Sequence, residues 1–122
     1  MKGNKLVLVV DDDPAIRTFL KVALTDEGYE VLVAGNGAIA LEMIAQTPPS
    51  LVILDMRMPV MDGWAFLDAY CQQELVPAPV ISISANATNE LVGCVSEFMS
   101  KPFNLNVLID LVARYTNTET MD

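Results

Sequence analysis

The sequence predicts an α/β fold, a parallel sheet with helices covering both faces. Two apolar runs, Leu6–Val10 and Leu51–Leu54, are rich in β-branched and aliphatic residues and lack polar alternation, the pattern of strands buried on both sides. Segments with apolar residues at helical spacing separate these runs from further strand-like stretches, which implies βαβ units with right-handed crossovers. Both runs also end abruptly on aspartate, at Asp11-Asp12-Asp13 and at Asp55. In a parallel sheet the strand C-termini share one edge, where ligands bind, so the two strands deliver their carboxylates to one pocket.

After the first strand, Asp13-Pro14 reads as an N-cap followed by proline at the first helical position. Ile16, Phe19, Leu20, Ala23 and Leu24 follow at helical spacing, and Gly28 closes the helix. Tyr29 to Ala34 reads as a second strand, Gly35-Asn36-Gly37 as a turn, and Ala38, Leu41, Ile44 and Ala45 as a second helix stopped by Pro48-Pro49. The third strand brings Asp55. Met58-Pro59 and Asp62-Gly63 make a loop, Trp64 to Gln73 a third helix, and Val80 to Ser84 a fourth strand. Phe98-Met99-Ser100 reads as a short fifth strand ending at Lys101-Pro102. Asn104 caps a last helix carrying Leu105, Leu108, Ile109, Val112 and Tyr115. No repeat, low-complexity tract or linker interrupts residues 1–122, which read as a single domain with a core from about 5 to 116 and a polar tail at 117–122.

Sixteen acidic and seven basic residues give a net charge of −9. That sign disfavours direct nucleic-acid binding, which needs a basic footprint, and disfavours a membrane surface for the same reason. Neither a spanning stretch nor a signal-peptide pattern is present in the sequence, and a cytoplasmic location is expected. Histidine is absent and the two cysteines, Cys71 and Cys94, are too far apart for a zinc motif. They are expected as small packed side chains. Without an imidazole, chemistry must rest on carboxylate, hydroxyl, lysine and a hard metal ion.

Each residue type suited to that chemistry falls at a predicted strand C-terminus: Asp11 and Asp12 on the first, Asp55 on the third, Ser84 on the fourth and Lys101 on the fifth. Converging carboxylates need a cation, and an oxygen-only ligand set fits Mg²⁺. A lysine and a serine beside them suit a phosphoryl group, and aspartate is a known acceptor in aspartyl-phosphate chemistry. A single aspartate after a strand is ordinarily a cap or turn residue, but caps do not require a lysine and a serine on partner strands. Asp13, before Pro14, is the best cap and the poorest metal ligand.

These residues lie in four ordered motifs: Leu8-Val9-Val10-Asp11-Asp12-Asp13-Pro14, Ile53-Leu54-Asp55-Met56-Arg57-Met58-Pro59-Val60-Met61-Asp62-Gly63, Ile83-Ser84-Ala85 and Ser100-Lys101-Pro102-Phe103. From Leu6 to about Tyr115 the sequence resembles a receiver domain of a two-component response regulator, of the chemotaxis-regulator kind. The resemblance implies a flavodoxin-like five-stranded sheet in the order 2-1-3-4-5. It implies Asp55 as phosphoacceptor from a histidine kinase or phosphotransfer protein. Mg²⁺ would be held by Asp12, Asp55 and the Arg57 backbone carbonyl, with Asp11 acting through water. Lys101 would hold a phosphoryl oxygen, with Lys101-Pro102 a cis peptide. Ser84 and Phe98 would be the switch residues, Ser84 moving toward the phosphoryl group and Phe98 following inward. Arg57 and Asn86 would flank the phosphoryl group and influence its lifetime.

Two departures from the family pattern stand out. Phenylalanine at 98 keeps an aromatic switch without a hydroxyl. Ser84 and Lys101 are 17 positions apart, about five residues (more than one helical turn) fewer than the family pattern has. The loss falls on Asn86 to Val92, where a short or irregular helix is expected. The sequence predicts a phosphorylatable signalling module that accepts a phosphoryl group without being a multi-turnover enzyme, with its downstream target or output domain outside this chain. Other classes are an aspartyl-phosphate phosphohydrolase, which would need a second aspartate where Arg57 stands, and a receiver-like docking module that is never phosphorylated.

Overall fold

Apolar alternation around the strand axes sets the architecture. The computed structural model describes residues 5–58, 60–73, 78–84 and 94–116. The elements in order are β1 (Leu6–Val10), α1 (Pro14–Asp26), β2 (Glu30–Ala34), α2 (Gly37–Gln46), β3 (Leu51–Asp55), α3 (Gly63–Gln73), β4 (Val80–Ser84), β5 (Val95–Ser100) and α4 (Leu105–Thr116). The strands form one parallel sheet in the order β2-β1-β3-β4-β5. This is the order implied by the resemblance.

Right-handed crossovers explain which helix lies on which face. The chain steps from β1 to β2 in one direction, then reverses to reach β3, so α1 lands opposite α2 and α3. Leu8, Val10, Val52 and Leu54 point into the layer beneath α2 and α3, where they meet Ala40, Ile44, Phe66, Leu67 and Tyr70. Their neighbours Val7, Val9, Leu51 and Ile53 point the other way, toward Leu20 and Leu24 of α1 and Leu108, Leu111 and Val112 of α4. With both faces covered, β1 (from Val7), β3 and β4 are buried throughout, as their unbroken apolar runs require.

The caps follow the sequence signals. Asp13 Oδ1 accepts from the Ala15 N–H at 2.9 Å and Pro14 opens α1. Asn36 does the same for α2 through the Ile39 N–H, and Asn104 for α4 through the Asn106 and Val107 N–H groups. Gly28, at φ 99°, supplies the left-handed residue after α1.

Two expectations change. The fifth strand begins at Val95, not Phe98. It is an edge strand whose register slips against β4, Val80 opposing Val95 but Ile81 opposing Glu97, so Ser96 is the extra residue of a bulge. A bulge interrupts the two-residue alternation by which the strand's start would be read. The second change concerns the cysteines, which are joined as the disulfide Cys71–Cys94. The segment expected as a short helix, Asn86 to Val92, lies outside the described residues, as do Asn86 itself and the tail at 117–122.

Candidate acidic site at the strand C-termini

The switch point in strand order lies between β1 and β3, the two strands that end on aspartate. Their mutual register sets Val10 beside Leu54, so Asp11 and Asp55 emerge next to each other. Carboxylate oxygens of Asp11, Asp12 and Asp55 lie within 4.8 Å of one another. Asp11 and Asp55 are buried, each 5% exposed, whereas Asp12 is on the surface.

Backbone geometry holds this cluster. The Asp11 N–H donates to the Ala34 carbonyl, continuing the ladder toward β2. The Asp13 N–H donates to Asp11 Oδ1 at 2.9 Å. Arg17, one turn into α1, donates from Nη1 to the Asp11 carbonyl oxygen at 2.8 Å. This tie is invisible in the motif, because it joins a helix side chain to a strand-end carbonyl. Asp55 Oδ1 accepts from the Arg57 N–H at 3.2 Å.

Lys101 reaches the cluster from the far side of the sheet. The Lys101-Pro102 bond is cis, as expected, and the Lys101 N–H donates to the Ser84 carbonyl at 2.8 Å. Lys101 Nζ is 3.6 Å from Asp11 Oδ2 and 3.6 Å from Asp55 Oδ1. Ser84, buried at the end of β4, pairs with Ser100 in the register. The Met56 N–H donates to the Ile83 carbonyl, so the backbones leaving β3 and β4 stay in contact beside Asp55. Phe98 is half-buried on β5, opposite Ser82. Met99 packs into the α1–α4 layer, so alternation turns Phe98 to the opposite face. The sequence-predicted residues Asp11, Asp12, Asp55, Ser84 and Lys101 thus share one edge, Arg57 reaches it through its backbone, and Phe98 lies one strand turn behind it.

Burial holds the Asp55 carboxyl above the ordinary carboxylate range. The Arg57 N–H opposes that shift, Asp11 adds to it, Lys101 again opposes it and Asp12 adds to it. Three carboxylates thus face one ammonium in a partly desolvated cleft, and a further cation would relieve them. The donor set is all oxygen, and two of its carboxylates are buried where a hard divalent ion would lose little of their affinity to water. These residues fit Mg²⁺.

Gly63 is a positional requirement that the motif alone does not explain. A Cβ there would stand 2.6 Å from Met56 Cα, 2.6 Å from Met56 Sδ and 3.1 Å from the Asp55 carbonyl oxygen. The Gly63 N–H also donates to the Met56 carbonyl at 3.0 Å, so the loop after β3 folds back onto its own start. Val60, at φ 71° and almost fully exposed, supplies the left-handed residue of that loop. Asp62 then caps α3 through the Ala65 N–H. Gly63→Ala is expected to shift the Asp55–Met56 backbone and cost about 1–3 kcal/mol, as other overpacked sites do. Urea unfolding of the two forms checks it, with an unchanged midpoint as the contrary result.

Comparison with known proteins agrees with this geometry. Residues 7–113 match the model of the response regulator receiver domain. The chain belongs to the response regulator receiver family. The receiver is 38% identical over 106 residues to the transcriptional regulatory protein KdpE of Mycobacterium tuberculosis, covering 83% of this chain and 46% of that protein. It therefore spans less than half the length of that relative. Sporulation initiation phosphotransferase F of Bacillus subtilis is 32% identical over 120 residues, covering 92% of this chain and 94% of the relative. Among solved structures, the response regulator TrrA from Thermotoga maritima, in complex with Mg²⁺ and beryllofluoride, superimposes with a TM-score of 0.84 at 34% identity, covering 92% of this receiver and 99% of TrrA. A second structure holds TrrA in complex with the histidine kinase ThkA, with a TM-score of 0.82 at 33% identity and coverage of 92% and 98%. This receiver is a phosphoacceptor signalling module of the two-component type.

Proposed function

We propose that Asp55 is the residue phosphorylated, that Mg²⁺ binds beside it, and that the donor is a phosphohistidine on a kinase or phosphotransfer protein. The observation that carries this reading is the convergence of buried Asp55, its acidic neighbours Asp11 and Asp12, and Lys101 at 3.6 Å from Asp55 Oδ1. The complex of TrrA with a histidine kinase supports the donor class, and the Mg²⁺–beryllofluoride complex of TrrA supports the metal.

In this reading the Arg57 N–H and the Lys101 ammonium both engage Asp55 Oδ1, which leaves Oδ2 to form the new bond. The O–P bond forms as the P–N bond of phosphohistidine breaks, and the imidazole, protonated on its other nitrogen, departs neutral. Lys101 stays within reach of the transferred oxygens and stabilises their charge as a mobile point cation. Asp12, Asp55 and the Arg57 carbonyl would hold Mg²⁺, with Asp11 acting through water. When bound, the ion offsets the negative charge gathered by transfer. The phosphoryl group brings roughly −1.5 to −2 charge and three acceptor oxygens. Ser84 moves to donate to one of them, and Phe98 follows into the space behind it.

An apolar groove of about 480 Å³, lined by Ile16, Phe19, Pro102, Phe103 and Leu105, opens beside Lys101. We place the donor protein there, since it borders the lysine that must meet the phosphoryl group. Residues 5–116 form the folded unit in this reading, acting in the cytoplasm on a target or output domain outside this chain. Among the described residues no helix is long and apolar enough to cross a membrane. The module accepts phosphoryl groups stoichiometrically, because Arg57 occupies the place where a phosphohydrolase of the aspartyl-phosphate class carries its acid.

The sole tryptophan, Trp64, follows Gly63 directly and so reports on the Asp55–Met56 backbone. Its fluorescence is expected to change with Mg²⁺ and to change further when beryllofluoride is added. A beryllofluoride response that does not require a divalent ion would contradict the metal assignment. One that persists in Asp55→Asn would contradict the acceptor.

A further inference from the structure

The phosphoacceptor chemistry makes no use of Cys71 or Cys94, yet the fold joins them with a Cα–Cα distance of 5.7 Å. Cys71 lies in the last turn of α3 and Cys94 directly before β5, both half-buried at the margin of the core beneath α2 and α3. The covalent ring closed by this bond runs through all of β4 and therefore contains Ser84. It closes directly before β5, at the end of that strand opposite Lys101. Because β5 is an edge strand, the described sheet holds it from one side only, through β4, and the bulge at Ser96 loosens that pairing beside the cross-link. The bond therefore ties down the weakly paired end of the strand whose other end carries Phe98 and Lys101.

Other contacts hold α3 and β4 in place. Tyr70, next to Cys71, is buried against Phe66 at a ring separation of 5.3 Å and donates to the Ala78 carbonyl at 3.2 Å. Beyond the bulge, β4 and β5 stay paired from Ile81–Glu97 to Ser84–Ser100. None of these contacts passes through the cross-link, and the partial exposure of both cysteines leaves the pair open to exchange.

We propose that Cys71 and Cys94 form a reversible redox-modification site, oxidised by a low-molecular-weight disulfide of the glutathione class, whose bond opposes the switch driven from Asp55. One cysteine thiolate attacks the reagent, giving a mixed disulfide and releasing one thiol. The second cysteine thiolate then displaces the other half, closing Cys71–Cys94 and releasing a second thiol. Two electrons pass from the protein dithiol to the reagent, and the two cysteine protons end on the released thiols. The bond fixes Cys94, and with it the bulged start of β5, against α3, so the strand that brings Phe98 and Lys101 beside Ser84 has less freedom to shift when a phosphoryl group arrives. Oxidation then favours the unswitched state, and thiol exchange returns the competent one. The coupling to switching rests on the phosphoacceptor reading of Asp55.

The test uses the whole chain equilibrated at a series of ratios of reduced to oxidised glutathione. Alkylation and mass measurement give the disulfide fraction, and Trp64 fluorescence gives beryllofluoride affinity with Mg²⁺ present. Both forms are expected to keep their circular dichroism, to interconvert, and to differ about five-fold or more in affinity, the oxidised form being weaker. Cys71→Ser is expected to bind as the dithiol form does at every ratio. Equal binding by fully oxidised and fully reduced protein overturns the inference and leaves the phosphoacceptor reading intact. A pair that oxidised glutathione cannot close, or that native protein never reopens, also overturns it. Beryllofluoride binding by neither form overturns both readings. Because wild-type protein supplies both forms, the comparison does not depend on the variant's folding.

Discussion

Asp55→Asn is expected to abolish phosphorylation from both phosphohistidine and small phosphodonors while raising the melting temperature of the metal-free protein. The loss follows from the nucleophile: an amide oxygen cannot form the acyl phosphate, and no neighbour in the cluster matches Asp55's position between the Arg57 N–H and Lys101. The gain in stability follows from burial. Asp55 is held above its ordinary range chiefly because its charge is desolvated, with Asp11 and Asp12 adding repulsion. Its ionised form is therefore less favourable in the fold than in the unfolded chain. That cost is absent below the unfolded pKa and is fully present once pH exceeds the folded one. Asparagine removes the charge yet can still accept from the Arg57 N–H, and Lys101 keeps Asp11 as its partner at 3.6 Å. At neutral pH the variant is expected to melt roughly a few degrees higher, with the difference shrinking as pH falls through the folded pKa of Asp55. Added Mg²⁺ should stabilise the wild type more than the variant, because a ligand stabilises only the state that binds it. Scanning calorimetry at several pH values reads all three effects, and a variant less stable than wild type at neutral pH would contradict this account of the cluster.

Reduction of Cys71–Cys94 is expected to have the largest effect on stability, about 3 kcal/mol in the chain-entropy account for a loop of this size. The loop from 71 to 94 holds β4 between its ends, so the unfolded chain gains much freedom when the bond opens. The native state loses little, since Tyr70 and the β4–β5 ladder remain. Urea unfolding with and without reductant is expected to lower the midpoint. Cys71→Ser, in oxidising buffer, is expected to match reduced wild type. A midpoint that ignores reductant, with alkylation showing both thiols free, would contradict it. Strong stabilisation by the disulfide and retention of the fold without it are compatible, because the cross-link acts mainly on the unfolded ensemble.

What the sequence made legible is local, or follows from topology. The unbroken apolar runs of β1, β3 and β4 can only be strands covered on both faces, and Asp13-Pro14 and Asn104 are capping signals with a direct physical cause. Once the strands are parallel, their C-termini must share an edge. That is why Asp11, Asp55, Ser84 and Lys101 could be gathered from positions far apart in the chain. The start of β5 was hidden because the bulge at Ser96 breaks the alternation that marks an edge strand. The pairing of Cys71 with Cys94 was hidden because it depends on how α3 and β5 pack, which no local pattern encodes. The same holds for Arg17 on the Asp11 carbonyl and for the tight approach of Gly63 to Met56. Each joins two elements whose relative position emerges only in the folded core.

The identity of the acceptor is tested most directly by trapping it. Protein phosphorylated with a small phosphodonor and Mg²⁺ is treated with borohydride, which reduces an acyl phosphate to the alcohol and converts the modified aspartate to homoserine. Peptide sequencing by mass spectrometry is predicted to find homoserine at position 55, dependent on Mg²⁺ and absent without the donor. Homoserine at Asp11 or Asp12, with Asp55 intact, would contradict the assignment.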